Sequence, residues 1–222
     1  MSPQVVHNVS FHGVGMPGPE REPGEHDYWV GRDAFLRILD DCAARPGVRL
    51  SFDDGNESDA AIALPALVER GLTADFFLIA GRIGTPGNIS AEGVRALVAA
   101  GMGVGSHGLG HRAWPEVPDT ELDAELTDAR TRIAETAGQP VDSAACPFGA
   151  YDRRVLGRLR ALGYRRVYTS DRRPAAGDAW LQARFSVVAT DTVESFRTAV
   201  LSPRGPARRL RDSAVGTVKR WR

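Results

Sequence analysis

An α/β fold built on parallel strands is what the sequence predicts, and two observations carry the expectation. Short apolar runs alternate with longer stretches of helical periodicity, and glycines stand where those helices should stop. A third observation sets the scale: at 222 residues, one domain with a large core fits better than two small ones. Candidate strands are residues 4–11, 49–52, 74–79, 103–106, 143–146, 165–169 and 185–189, seven in all. Helical patterns fill 32–44, 60–70, 91–100, 120–137 and 153–162. Gly71, Gly101, Gly138 and Gly163 follow them as left-handed stops. Within 120–137, Leu122, Leu126, Ala129 and Ile133 recur at three and four residues, so one face can cover a sheet while the charged face stays in water.

Composition removes several classes. Hydrophobic residues make up 42% and charged residues 25%, values of a globular chain and not of a disordered or collagen-like one. Twenty-eight basic residues balance 28 acidic ones, and a zero net charge argues against a protein built to hold nucleic acid. Two cysteines, Cys42 and Cys146, do not make a disulfide scaffold; they form one bridge at most, and free buried thiols are the simpler expectation. The first 30 residues hold no cationic cap followed by an apolar run, and no stretch approaches 18 apolar residues, so a cytoplasmic protein is expected. Residues 16–27, rich in glycine, proline and charge, read either as a substrate-side loop or as a mere connection. Domain organisation is expected to be a catalytic domain over 1–203 and a basic tail over 204–222. The tail sets seven basic residues against Asp212 alone; it reads as a solvated terminus, or as a segment making weak contact with a membrane surface.

Three segments can carry chemistry. Ser51-Phe52-Asp53-Asp54-Gly55 places two adjacent carboxylates at the carboxyl end of a predicted strand, the rim where α/β barrels gather their active groups. Adjacent carboxylates repel unless a cation or donors offset them. By itself Asp-Asp-Gly is also a common acidic turn. Ser106-His107-Gly108-Leu109-Gly110-His111 ends another strand, and its glycines allow a curl that brings two imidazoles onto one metal ion. Gly108 follows His107 where a helical zinc motif has glutamate, so a base must come from elsewhere. Pro147-Phe148-Gly149-Ala150-Tyr151-Asp152 is a rigid loop whose backbone N–H groups suit an oxyanion hole.

In order and spacing these segments resemble the motifs of the polysaccharide deacetylases of carbohydrate esterase family 4, the NodB-homology proteins. The likeness extends to Ala63-Leu64-Pro65-Ala66-Leu67, to Gly71-Leu72-Thr73-Ala74-Asp75-Phe76-Phe77, to Gly163-Tyr164-Arg165 and to Phe11-His12-Gly13-Val14, and so spans about residues 5–191. The resemblance implies a distorted seven-stranded (β/α) barrel that removes the acetyl group from an N-acetylated sugar with a divalent metal, zinc first, cobalt or another transition metal otherwise. It assigns the general base to Asp53 and the metal ligands to Asp54, His107 and His111. One carboxylate and two imidazoles suit such an ion and leave positions open for water and substrate. The carbohydrate is the implied partner; oligomeric state is open.

Two departures stand out. Many members have arginine two residues before the motif proline, where this chain has Ala145, and Arg184 is the expected substitute. The late leucine–histidine motif that supplies the family's general acid has no counterpart, because no histidine follows His111. His12, at the end of the first strand, is the candidate acid, with a structural role as its alternative. Trp114 and Trp180 can line a sugar site by stacking or belong to the core. Two other accounts compete: hydrolysis of another linear amide or a cyclic imide, and a catalytically reduced sugar-binding or interaction module.

Overall fold

The computed structural model describes residues 4–201. The basic tail at 204–222 lies outside them. Seven parallel strands close into a barrel: β1 (Val5–Phe11), β2 (Val48–Asp54), β3 (Ala74–Leu78), β4 (Gly103–Ser106), β5 (Ser143–Ala145), β6 (Arg166–Thr169) and β8 (Leu181–Ser186) pair in that order, and β8 returns to β1. Closure is set by the pairs Val9↔Leu50 and Val9↔Phe185, which seat β1 between β2 and β8. The two-residue β7 (Ala175–Ala176) pairs antiparallel with β1 beyond the barrel wall. Helices α1 (Arg32–Ala43), α2 (Leu64–Glu69), α3 (Ala91–Ala99), α4 (Asp119–Asp123), α5 (Ala129–Ala137) and α6 (Arg153–Ala161) follow the strands, and α7 (Val193–Phe196) runs on into a π-type turn at Arg197–Leu201. Wide π-type turns join α4 to α5 and lead into α2. No helix among the described residues is long and apolar enough to cross a membrane. Cys42 and Cys146 are both buried and are not joined by a disulfide.

The strands alternate in an instructive way. Val9, Phe11, Leu50, Phe52, Phe76 and Phe185 face the helices and pack with Phe35, Ile38 and Leu39 of α1 and Val94 and Leu97 of α3 in one apolar shell. Their neighbours Asn8, Ser10, Ser51, Asp53, Asp75, Gln182, Arg184 and Ser186 turn the other way and bond to one another inside the barrel. Asn8 donates to Gln182 at 2.9 Å, the Ser10 and Ser186 hydroxyls meet at 3.1 Å, and Tyr168 donates to Asp75 at 3.1 Å. Gly103 and Gly105 make room for this filling: a Cβ would stand 2.0 Å from the Asp75 carboxylate at the first and 2.5 Å from the Phe77 ring at the second.

That polar interior explains one misplaced element. The last strand is expected at 185–189, whereas it occupies Leu181–Ser186. Its inward positions are Gln182, Arg184 and Ser186, all buried, so the apolar signal runs on past the strand. Helix α7, not expected after Asp191, is capped by Thr192, whose hydroxyl accepts from the Ser195 N–H. It buries Phe196 against the α1 side of the shell.

Candidate metal centre and active site

The site lies at the carboxyl end of the barrel, where β2 ends in Asp53 and Asp54 and β4 runs into His107. The loop after His107 curls around a carboxylate. Buried Glu125 accepts from the N–H groups of Leu109 and Gly110 at 2.9 and 3.3 Å. A Cβ on Gly108, which sits at φ +84°, would stand 3.0 Å from Glu125 and 3.1 Å from Trp114. The curl carries His111 back beside His107, ring centroids 5.1 Å apart. Three residues with side chains hold positive φ here: Asp54 at 76°, His111 at 56° and Phe148 at 58°. Such backbone is costly for L residues, by roughly 1–3 kcal/mol each, and persists where surrounding structure imposes it.

Ligand atoms of Asp54, His107 and His111 lie within 4.8 Å of one another. Asp54 Oδ1 stands 3.6 Å from His107 Nε2 and 3.4 Å from His111 Nε2, and it is buried without a hydrogen-bond partner among the described residues. Both imidazoles are held by the other nitrogen: His107 Nδ1 lies 2.8 Å from the Ala145 carbonyl and His111 Nδ1 lies 2.6 Å from Glu22. The Nε2 atoms and an orphaned carboxylate oxygen therefore converge, a donor set that fits a divalent metal. Burial pushes the Asp54 carboxyl up to about 6 and holds His107 down at about 3; a cation in their midst would favour the Asp54 carboxylate and suits the neutral imidazole that burial already favours.

Asp53 is separated from this trio in chemistry. Burial would raise its carboxyl, but the Arg184 guanidinium, at 2.7 Å to Oδ1 and 2.6 Å to Oδ2, holds it at about 2. Arg184 is completely buried; it also donates to Ser51 at 3.0 Å and lies 5.3 Å from the Phe77 ring centroid. The structure thus brings Arg184, from β8, to Asp53, as the sequence reading expects in the absence of an arginine at Ala145. His12 Nε2 stands 3.9 Å from Asp53 Oδ2, with its ring 4.7 Å from that of Tyr28.

A cavity of about 290 Å³ opens over these groups, lined by His12, Asp53, Asp54, His107, His111, Phe148 and Gly149 among others. Phe148 is 63% exposed and lies over His111, ring centroids 4.4 Å apart. In its turn the Gly149 and Ala150 N–H groups donate to the Cys146 and Pro147 carbonyls. Proline has no N–H, so Phe148 carries the backbone donor this turn does not consume.

Two expected site residues are elsewhere. Trp114 is fully buried in the apolar cluster with Val117, Leu126 and Val155, underneath the histidine loop, and cannot stack on a sugar. Trp180 precedes β8 at the amino end of the barrel, donates Nε1–H to the Tyr164 carbonyl at 2.7 Å and lies under Arg160. Conversely, Glu22, Glu25 and Asp27 from the loop at 16–27, with Tyr28 just after it, form one wall of the cavity. Only the loop's glycine, proline and charge content hinted at a substrate-side position; nothing local marks Glu22 as a partner of His111.

Residues 40–167 match the polysaccharide deacetylase family. The chain belongs to that family. YxkH of Bacillus subtilis (strain 168), a protein named as a polysaccharide deacetylase, is 23% identical over 191 residues, covering 81% of this chain and 67% of its own. The structure of the Streptococcus pyogenes deacetylase PplD superposes with a TM-score of 0.78 at 18% identity, covering 91% of this chain and 100% of PplD. That of IcaB from Ammonifex degensii gives 0.73 at 23% identity, covering 90% and 99% respectively. Both share the barrel of this chain.

Proposed function

We propose that this family member is a metal-dependent hydrolase that removes the acetyl group from an N-acetylated sugar in a glycan or glycan precursor. One observation carries the reading: in a polysaccharide deacetylase barrel, an unpartnered Asp54 oxygen and two imidazole Nε2 atoms converge beside a second carboxylate held ionised by arginine. Asp54, His107 and His111 would hold the ion, zinc first on the grounds of the donor set, with cobalt the next choice. When bound, such an ion polarises the acyl carbonyl and makes water a stronger nucleophile.

The remaining work falls to the chain. Asp53, kept as a carboxylate by Arg184, accepts a proton from the attacking water. The Phe148 N–H donates to the oxygen on which negative charge gathers. His12, across the cavity floor from Asp53, delivers a proton to the departing amine, and acetate and the free amino sugar result. Phe148 and Tyr28 offer exposed apolar faces at the mouth to the sugar ring.

The test is acetate release from a panel of N-acetylated mono- and oligosaccharides and nucleotide- or lipid-linked sugars, with metal analysis of the same preparation. Asp53→Asn should keep the metal and lose activity by about 10²–10⁴-fold. Metal bound without acetate release from any sugar would move the reading to another amide; a protein that takes up no divalent ion would overturn it.

A further inference from the structure

We propose that Glu22 is a positioning residue for the metal ligand His111, so that the loop at 16–27 is part of the metal centre as well as a wall of the substrate cavity. The inference rests on the metal-binding reading above. His107 and His111 are anchored differently. The Nδ1 of His107 meets a carbonyl of the barrel itself, that of Ala145 at 2.8 Å, whereas the Nδ1 of His111 meets the Glu22 carboxylate at 2.6 Å from a segment 89 residues earlier in the chain. A carboxylate only accepts, so Nδ1 carries the proton and Nε2 presents its lone pair toward Asp54. Glu22 is not itself a ligand: its Oε2 is taken by His111 and its Oε1 by Arg82.

The contact is built into the fold. Arg21, the preceding residue, ties the loop to the barrel by donating to Asn88 at 2.5 Å and to Asn56 at 2.6 Å. The Asp27 carbonyl accepts the Ala189 N–H at 2.7 Å and fixes its far end. His111 sits at φ 56° in a glycine-rich loop; Phe148 lies over its ring, and Glu22 is the group that holds its Nδ1. A partner of this kind sets the tautomer and orientation of a ligating imidazole, and its loss typically weakens metal binding by about 10–100-fold.

The deciding experiment measures zinc affinity of the metal-free full chain by competition with a chromogenic chelator, for wild type, Glu22→Ala and Glu22→Gln, alongside thermal melting of the metal-free forms. Glu22→Ala should bind zinc about 10–100-fold more weakly while melting with wild type when metal-free. Glu22→Gln, which keeps an oxygen for the Nδ1–H and loses the charge, should recover part of the affinity. Zinc affinities of both variants within twofold of wild type would overturn the role of Glu22 alone. Absence of zinc binding by wild type would instead overturn the metal reading on which it rests.

Discussion

The two ends of the barrel have cavities of opposite character. At the amino end, a space of about 480 Å³ is lined by Trp180, Arg160, Arg153, Leu156 and their neighbours. Its polar groups are conventionally engaged, the Trp180 N–H by the Tyr164 carbonyl and the Arg160 guanidinium by the indole face. At the carboxyl end the cavity is smaller, about 290 Å³, yet three side-chain-bearing residues in left-handed backbone, an orphaned Asp54 oxygen and a fully buried ion pair crowd around it. Volume therefore does not locate the site. What separates the two spaces is the state of the groups around them: the carboxyl end gathers charge about an unpartnered Asp54 oxygen, whereas Trp180 and Arg160 already have partners.

The largest effect should come from removing the group that joins that charge to the barrel. Arg184→Met leaves Asp53 buried without its counter-ion, at a cost of about 3–5 kcal/mol in stability by denaturant unfolding near neutral pH. The pH dependence gives a sharper reading. In wild type the folded Asp53 carboxyl lies at about 2 against an ordinary 3.8, so its stabilisation is complete above the ordinary value and drains away as pH falls through 2. Without Arg184, burial is opposed only by the pull of His107 and His12 and should raise the carboxyl, so the variant should gain stability relative to wild type as pH falls toward 4. A difference between the two proteins that is flat from pH 7 to 4 would mean the pair is not what holds Asp53 ionised.

His12 tests whether the carboxyl end supplies its own acid. His12→Ala should lower kcat by about 10²-fold, and a loss below about threefold would remove it from the mechanism. Burial lowers the imidazole from its usual 6.5 and the neighbouring Asp53 only partly opposes this. An acid must be protonated, so kcat/KM should fall as pH rises through that lowered value. The same limb should vanish in His12→Ala.

The sequence disclosed the two ends unequally, for physical reasons. Asp53, Asp54, His107 and His111 were legible because short motifs at strand ends need those residue types at close spacing. Six of the seven barrel strands are legible to within two residues from apolar runs that face the helices, and the same rule fails at β8, where the inward Gln182, Arg184 and Ser186 break the pattern. Arg184 was legible only as the arginine missing beside Pro147. Glu22 was not legible at all, because its meeting with His111 depends on how a loop folds back over 89 residues of chain. The tryptophans stay ambiguous in the sequence, as sugar platforms or core, because aromatic residues look alike there whether they stack on a sugar or fill a core.

Trp180 supplies the smallest expected effect and the strictest check on the comparison. Trp180→Leu removes the indole beneath Arg160, whose guanidinium lies 4.5 Å from the ring centroid, and the Nε1 donor to Tyr164. Those contacts are structural, worth about 1 kcal/mol each at most at a half-buried position, so unfolding should shift modestly. Turnover and KM for any active substrate should stay within about threefold of wild type, since the residue stands before the first residue of β8 while the reacting groups stand beyond the strands' other ends. A tenfold rise in KM with unchanged stability would place sugar at the amino end, and the asymmetry of the barrel would have to be explained some other way.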